Sequence, residues 1–407
     1  MNYFEVYQSC SLFGALRYFA NIRDTVCLIN GPTGCAFYAR NAVINLNGYF
    51  ESLERVDIPK IFNLNFNETD VIFGNSDKVR EAIRNIADKY SPKSIFLFNC
   101  CVSEIVGCDI DEIASEFTDT RVIPIHTAGF KGDHKYGMKM AAEIICDQFM
   151  PRQKVMRNEI SVNILGEFDY FNRSTQELTE RLCKIGVQQI SHIPGKSTIE
   201  DIEYSTGANL NIITCQNASR HMAEIMRERY GIPYAGTGLS LYGIDNTYAF
   251  YEEIYRFFNI DTISLQNERD DALRQLEQYT TLFRGKKAAV VAGTRRALGY
   301  SSLLKEFGME IVLLFSEADC NYNKEDDFRP YTDNLYLNAY TDDLAEAIKQ
   351  SAPDVIFTTL PEMVAPAKYL PRLSYDFAGF HGAILMAKYL YDYFSGSERC
   401  PTILINE

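Results

Sequence analysis

The stretch INGPTGCAFYAR, residues 29–40, sets the fold class. It overlaps the end of the apolar run TVCLIN (25–30), breaks at Gly-Pro-Thr-Gly, and opens into a segment able to form a helix, with Cys35 at the join. A strand, a glycine turn and a helix in succession belong to a βαβ unit, and the same order recurs along the chain.

Further strands are expected at SIFLFN (94–99) and RVIPIH (121–126), with helices near 77–90 and 135–149 whose apolar residues recur three and four apart. A charged break, MPRQKVMRNEI from Met150, separates them from a second series: SVNILGEF, VQQISHI and NLNIITC (209–215), then a helix over 217–230 and YGIPYAG. Residues 262–285 read as a linker helix. KKAAVVAG, MEIVLLFS, NLYLNAY and DVIFTTL then form a third series, closed by a helix over 380–394. The expectation is an α/β chain of three consecutive Rossmann-like domains with parallel sheets flanked by helices. They are placed at 1–155, 156–262, and 263–407 with the linker helix. There is no short-period repeat and no low-complexity tract.

With 407 residues, 46% hydrophobic and 23% charged, the chain has an ordinary globular composition and is too long for one core. No apolar run reaches transmembrane length, and MNYFEVYQSC lacks the basic-then-apolar order of a signal peptide, so a cytoplasmic location without membrane attachment is expected. The net charge of −14 comes without a basic tract, which argues against nucleic acid as a partner.

Eleven cysteines are many for a chain of this class, and in a reducing compartment they stay thiols. No CxxC pair or ferredoxin-like run occurs, so a metal site would have to gather cysteines distant in sequence. Cys10 precedes a helical pattern, Cys35 follows the first strand, and Cys100 and Cys101 follow SIFLFN. Thiolates at the strand ends of one parallel sheet can converge. The residue types alone leave two roles open for Cys35, core packing or metal ligation. A Gly-Pro-Thr-Gly turn suits the second, because glycine lets backbone N–H groups approach a sulfide. Cys27, Cys100 and Cys146 are read as packed thiols, and Cys108, Cys183, Cys320 and Cys400 have no motif around them.

Taken together, CSLFGA (10–15), GPTGCAFYAR (31–40), DVIFG (70–74), CVSEIVGCDI (101–110), IPIHTAGFKG (123–132), LNIITCQNASRHMAEIMRERYGIPY (210–234) and FAGFHG (377–382) resemble the component 1 proteins of nitrogenase and its relatives. The resemblance runs along nearly the whole chain and has the character of the α-type subunits. It implies an iron–sulfur cluster of [4Fe-4S] or [8Fe-7S] type at the interface with a β-type subunit, in an α2β2 assembly. Cys10 and Cys35 match two of its ligands, and the residues that follow favour Cys101 over Cys100 as the third.

The resemblance also implies that Cys215, at the end of NLNIIT, anchors a complex iron–sulfur metallocluster. Simpler relatives that reduce tetrapyrroles lack that cluster. VVAGTRRALGY (290–300) reads as a strand, a glycine turn and a helix start suited to an anion, through Gly293, Thr294 and the neighbouring Arg295 and Arg296. Arg295 matches a pocket arginine of the family. Other positions depart from nitrogenase: a ligand histidine becomes Arg372, a pocket histidine falls near Met138 or Lys139, and a pocket arginine becomes Asn217. A guanidinium has no lone pair for a metal, but its fork suits a carboxylate or a cluster sulfide. His126, His134, His192 and His221 lie outside the matched ligand positions, and His381 is read as structural.

The expected function is a reductase subunit. The resemblance implies that electrons pass from an ATP-dependent iron–sulfur reductase through the interface cluster to the metallocluster, where a small-molecule substrate is reduced; ATP use is expected in that partner, since this chain lacks GxxxxGK[ST]. The alternatives are a scaffold for metallocluster assembly and a tetrapyrrole reductase.

Overall fold

The computed structural model of the chain describes residues 9–46, 59–156, 159–168, 173–236, 241–317, 322, 324–339, 341–358 and 377–396. Cys320, Arg372 and Cys400 lie outside these residues. Three four-stranded sheets form, and every strand register seen in them is parallel. The first contains β1 (Thr25–Asn30), β2 (Ile61–Asn63), β3 (Ser94–Asn99) and β4 (Val122–His126) in the order β2-β1-β3-β4. The second contains β5 (Ser161–Leu165), β6 (Gln189–Ile193), β7 (Leu210–Ile213) and β8 (Tyr234–Ala235) in the order β6-β5-β7-β8. The third contains β9 (Lys287–Val291), β10 (Glu310–Ser316), β11 (Leu335–Leu337) and β12 (Val355–Thr358) in the order β11-β10-β9-β12.

The chain divides into two compact units. One is Gln8–Phe171 with Val187–Tyr234, and the other gathers Met1–Tyr7, Asn172–Gly186 and Ala235–Glu407. Among the described residues no helix is long and apolar enough to cross a membrane.

The continuous apolar look of the first strand has a simple cause: every residue of β1 is buried. Cys27 and Ile29 join one core while Val26 and Leu28 join another, as alternation across a sheet with both faces covered requires. The stretch read as a linker forms the Ile263–Thr280 helix, which buries Leu265, Ala272 and Leu276 and packs on the Gly379–Phe394 helix of its own unit.

A close crossing of two helices fixes the start of the cysteine-bearing unit. The Ser11–Phe19 helix lies against the His134–Gln148 helix, with a glycine from each at the contact. A Cβ on Gly14 would fall 1.8 Å from the His134 carbonyl oxygen, and one on Gly137 would fall 2.0 Å from that of Ser11. No side chain fits at either position. The Ser11 amide donates to Gly132 O (3.0 Å), the His134 amide donates to Ser9 O (2.7 Å), and the Ser11 hydroxyl donates to Thr127 O (2.9 Å). Cys10, which caps the first helix, is thereby bridged to Asp133.

Overpacking a tight contact costs about 1–3 kcal/mol, so Gly14→Ala and Gly137→Ala should each lower stability by at least that much. Gly34, in the first turn of the Thr33–Leu46 helix, has open space where its Cβ would be. Gly34→Ala should stay within about 1 kcal/mol of the parent, in the stabilising direction. Urea denaturation midpoints test both, and equal behaviour of the three variants would refute the crossing.

Candidate functional site

The order β2-β1-β3-β4 sends the chain from β1 to one side of the sheet and from β3 to the other. A crevice opens between their carboxyl ends, the place where doubly wound sheets bind ligands. Asn30 and Asn99, in register, end the two strands. Their buried side chains form a ladder: Asn75 Nδ2 donates to Asn30 Oδ1 (2.6 Å), Asn30 Nδ2 to Asn99 Oδ1 (2.9 Å), and Asn99 Nδ2 to the Cys108 carbonyl (3.0 Å). Beyond Asn30 the chain turns at Gly31 and Pro32 into the Thr33–Leu46 helix, with Cys35 in its first turn. Beyond Asn99, Cys100 caps the Cys101–Val106 helix.

Three of the sequence-predicted residues, Cys10, Cys35 and Cys101, come together here with Cys100. The Gly129 amide, in the turn after β4, donates to Cys101 Sγ at 3.0 Å. A Cβ on Gly129 would lie 3.1 Å from Cys10 Cβ and 3.4 Å from Cys101 Sγ, so only glycine lets that backbone approach both cysteines freely. The neighbouring Cys100 thiol, with the Cys35 backbone N–H, draws the Cys35 thiol down to about 6 against an opposing effect of burial. Burial raises the Cys10 thiol, and the nearness of Cys101 and Cys35 adds to that. Cys100 is raised by its bond to Cys35 and by burial.

Cys35 is exposed, Cys10 and Cys101 are half-buried and Cys100 is buried. Among the described residues no three His, Cys, Asp or Glu side chains are set to hold a single metal ion. Soft thiolates, a backbone N–H aimed at sulfur and glycines that admit close approach form a donor set suited to an iron–sulfur cluster.

His126 ends β4 between two carboxylates, with Nδ1 2.6 Å from Glu104 and Nε2 2.7 Å from Asp111. Lys131 reaches Glu104 at 3.3 Å. The network ties the Cys101–Val106 helix to the turn that carries Gly129. Directly after Cys35, and on the Cys101 and Gly129 segments, stand the exposed apolar side chains of Phe37 (57%), Tyr38 (65%), Ile105 (75%) and Phe130 (64%).

The second sheet repeats the topology. Cys215 follows β7 and caps the Gln216–Tyr230 helix, while Gly166 follows the adjacent β5. The Cys215 carbonyl accepts from the Ser219 amide (3.0 Å) and hydroxyl (2.6 Å). Gly166 has φ +82°, and a Cβ there would fall 2.7 Å from Ser219 Oγ, so the loop beside Cys215 demands glycine on two grounds. Cys215 is half-buried against the core, and the buried Tyr18 ring lies within its electrostatic reach.

In the other unit, Gly293 caps the Thr294–Glu306 helix after β9. Thr294 Oγ1 donates to the Glu317 carbonyl at 2.9 Å, and the Arg295 guanidinium lies over the Tyr242 ring at 6.0 Å. His381 is exposed in the first turn of the Gly379–Phe394 helix. Arg372 is outside the described residues. Sequence reading missed the Cys35–Cys100 contact, the Gly129 donor and the His126 network. The adjacent CC pair and the GFKG motif were the only local signals available.

Residues 10–394 match the family model described as nitrogenase component 1 type oxidoreductase. Among curated relatives, the chain is similar to the nitrogenase iron-molybdenum cofactor biosynthesis protein NifE of Methanococcus maripaludis, with 25% identity over 94% of this chain and 82% of that protein. The NifE of a Nostoc species is 26% identical over the same shares. The nitrogenase molybdenum-iron protein alpha chain of Clostridium pasteurianum is 24% identical over 72% of this chain and 56% of its own. In fold the chain is similar to a solved structure described as nitrogenase Cp1 at pH 6.5, with a TM-score of 0.78, 19% identity, and coverage of 99% of this chain and 92% of the other.

In chelator-treated protein, alkylation of Cys35 should rise with pH through about 6. Cys100→Ala should move that profile toward the ordinary thiol value of about 8.5. The fully buried Cys27 and Cys146 should react only on unfolding. Mass spectrometry of iodoacetamide adducts gives the profile, and a wild-type midpoint near 8.5 would remove the contact.

Proposed function

The chain belongs to the nitrogenase component 1 type oxidoreductase family, and from that premise we propose that it is the α-type subunit of a reductase. It would hold an iron–sulfur cluster of [4Fe-4S] or [8Fe-7S] type through Cys10, Cys35 and Cys101, and a complex metallocluster through Cys215. The observation that supports this reading is the approach of the Cys10 and Cys101 segments to Gly129, with the Cys35 thiol near enough to act on Cys10. When bound, such clusters supply one-electron storage and transfer, and a place for a small substrate to be reduced.

The roles of the chain's own groups follow from their chemistry. Cys35 enters as a thiolate at neutral pH, and the Gly129 N–H steadies the charge on Cys101. Phe37, Tyr38, Ile105 and Phe130 form the apolar skin on which a β-type subunit would close, excluding water from the thiolates. The Gly293–Thr294 turn and the Arg295 guanidinium suit an anionic group of the cofactor or substrate, and Arg372 is assigned the same kind of role. ATP would be used by a separate iron–sulfur reductase, for the sequence has no GxxxxGK[ST].

One observation favours a second reading, an assembly scaffold. The relatives matched over 94% of this chain are named as cofactor biosynthesis proteins. Incubating the purified αβ pair with its ATP-dependent reductase separates the two. Substrate turnover supports the reductase, and transfer of the metallocluster to a cofactor-free acceptor without turnover supports the scaffold.

Anaerobically purified αβ pair should contain iron and sulfide well above one [4Fe-4S]. Cys215→Ala should remove the excess and leave the interface cluster's spectrum intact. Cys101→Ala should lower interface occupancy, and Cys100→Ala should not. Iron limited to one [4Fe-4S] per pair would discard the metallocluster and bring forward the tetrapyrrole reading.

A further inference from the structure

In the unit that holds β9, Tyr242 is among the largest fully buried side chains, 1% exposed, and its ring is gripped on several sides. A Cβ on Gly299 would fall 2.3 Å from Tyr242 Cδ2, so the Thr294–Glu306 helix meets the ring at the one place where that helix face has no side chain. Tyr300 stands edge-on to the same ring, with centroids 5.3 Å apart. The backbone is fixed as well. Asn246 Nδ2 donates to the Tyr242 carbonyl (3.0 Å) and to Ser302 Oγ (2.7 Å), and the Ile244 amide donates to Glu306 Oε2 (2.8 Å). Gly299 lies one turn beyond Arg295 on the same helix face, and the Arg295 guanidinium accordingly sits over the ring at 6.0 Å from its centroid.

We infer that Tyr242 is a positioning residue, a fixed aromatic floor that holds the Arg295 guanidinium beside the turn after β9, ready to meet a small oxyanion such as a sulfate, phosphate or carboxylate group. The inference rests on the anion reading of Gly293, Thr294 and Arg295 proposed above. A second observation at that turn points to a ligand of the same kind. Ser316 ends β10 and is 1% exposed, and its hydroxyl has no hydrogen-bond partner among the described residues. Phe315 belongs to the core covered by the Thr341–Ser351 helix, so Ser316 points to the opposite face, on which the Thr294–Glu306 helix packs. Thr294 Oγ1 donates to the Glu317 carbonyl at 2.9 Å, which brings the first turn of that helix beside the Ser316 hydroxyl. A buried hydroxyl left unpaired is costly, and an oxyanion at the helix start would accept from it and from the amides of the first turn. An arginine that must be immobilised on binding loses affinity to side-chain entropy, whereas one already laid on a ring does not.

The test treats the purified full chain with phenylglyoxal at rising sulfate and reads modification of Arg295 by tandem mass spectrometry in wild type, Tyr242→Phe and Tyr242→Leu. The expected result is protection of Arg295 at equal sulfate in wild type and Tyr242→Phe, which keeps the ring, and a need for about fivefold more sulfate in Tyr242→Leu. Equal protection in Tyr242→Leu overturns the inference. An equal loss in Tyr242→Phe does so too, because it traces the effect to the hydroxyl rather than the ring. Should Tyr242→Leu fail to fold, a wild-type crystal soaked in sulfate decides: sulfate on Arg295 with the guanidinium still over the ring upholds the inference, and sulfate held by an Arg295 swung off the ring overturns it. Absence of sulfate protection in wild type overturns both this inference and the anion reading beneath it.

Discussion

Two helix backbones touch at Gly14 and Gly137, and the place of Cys10 follows from that contact. Cys10 leaves no strand, so the sheet cannot position it. Only the approach of the Ser11–Phe19 helix to the His134–Gln148 helix, which neither glycine could permit with a Cβ, brings the preceding residues alongside Gly132 and Asp133. Cys35 and Cys101 are placed by a different device, the divergence of the chain after two adjacent parallel strands. Their meeting with Cys10 therefore joins a helix-packing constraint to a topological one.

The first two sheets share one strand order and the third, β11-β10-β9-β12, has another, yet in each a sequence-predicted residue group opens a helix after a strand at the point where the order reverses: Cys35 and Cys101, Cys215, and Gly293 with its neighbours. In the first two sheets the strands on either side of the crevice are also joined by paired asparagines at matching register. Asn30 donates to Asn99 (2.9 Å), and Asn163 donates to Asn211 (2.7 Å). These buried amide pairs resist sliding of the strands, because a slip would break the bond within each pair and leave buried groups unsatisfied at a cost of about 1–3 kcal/mol.

The strands of the fold were legible because parallel strands covered on both faces must be apolar throughout, as TVCLIN and SIFLFN are. The expected helix over 217–230 is the Gln216–Tyr230 helix, marked by its regular apolar spacing and by Gly231 beyond it. The packed face of the Ile263–Thr280 helix was not legible, because its three inward residues are too sparse among charges to announce it. At the site, cysteines could be placed at strand ends, but the Cys35–Cys100 contact joins residues far apart in sequence with no periodicity to link them. Glycines within a helix pattern weaken a helix assignment, so the Gly14 and Gly137 crossing was hidden by the residues that make it possible.

The exposed Phe37, Tyr38, Ile105 and Phe130 stand on the same segments as Cys35, Cys101 and Gly129, and the Cys35 thiol is drawn down to about 6. A lone chain would therefore present to the cell a sticky face and a nucleophile in the same place. Oxidants and other unfolded chains compete for that face until a partner covers it. Were the proposed β-type subunit to close this face, the rate of pairing, rather than equilibrium stability, would set the yield of intact chain.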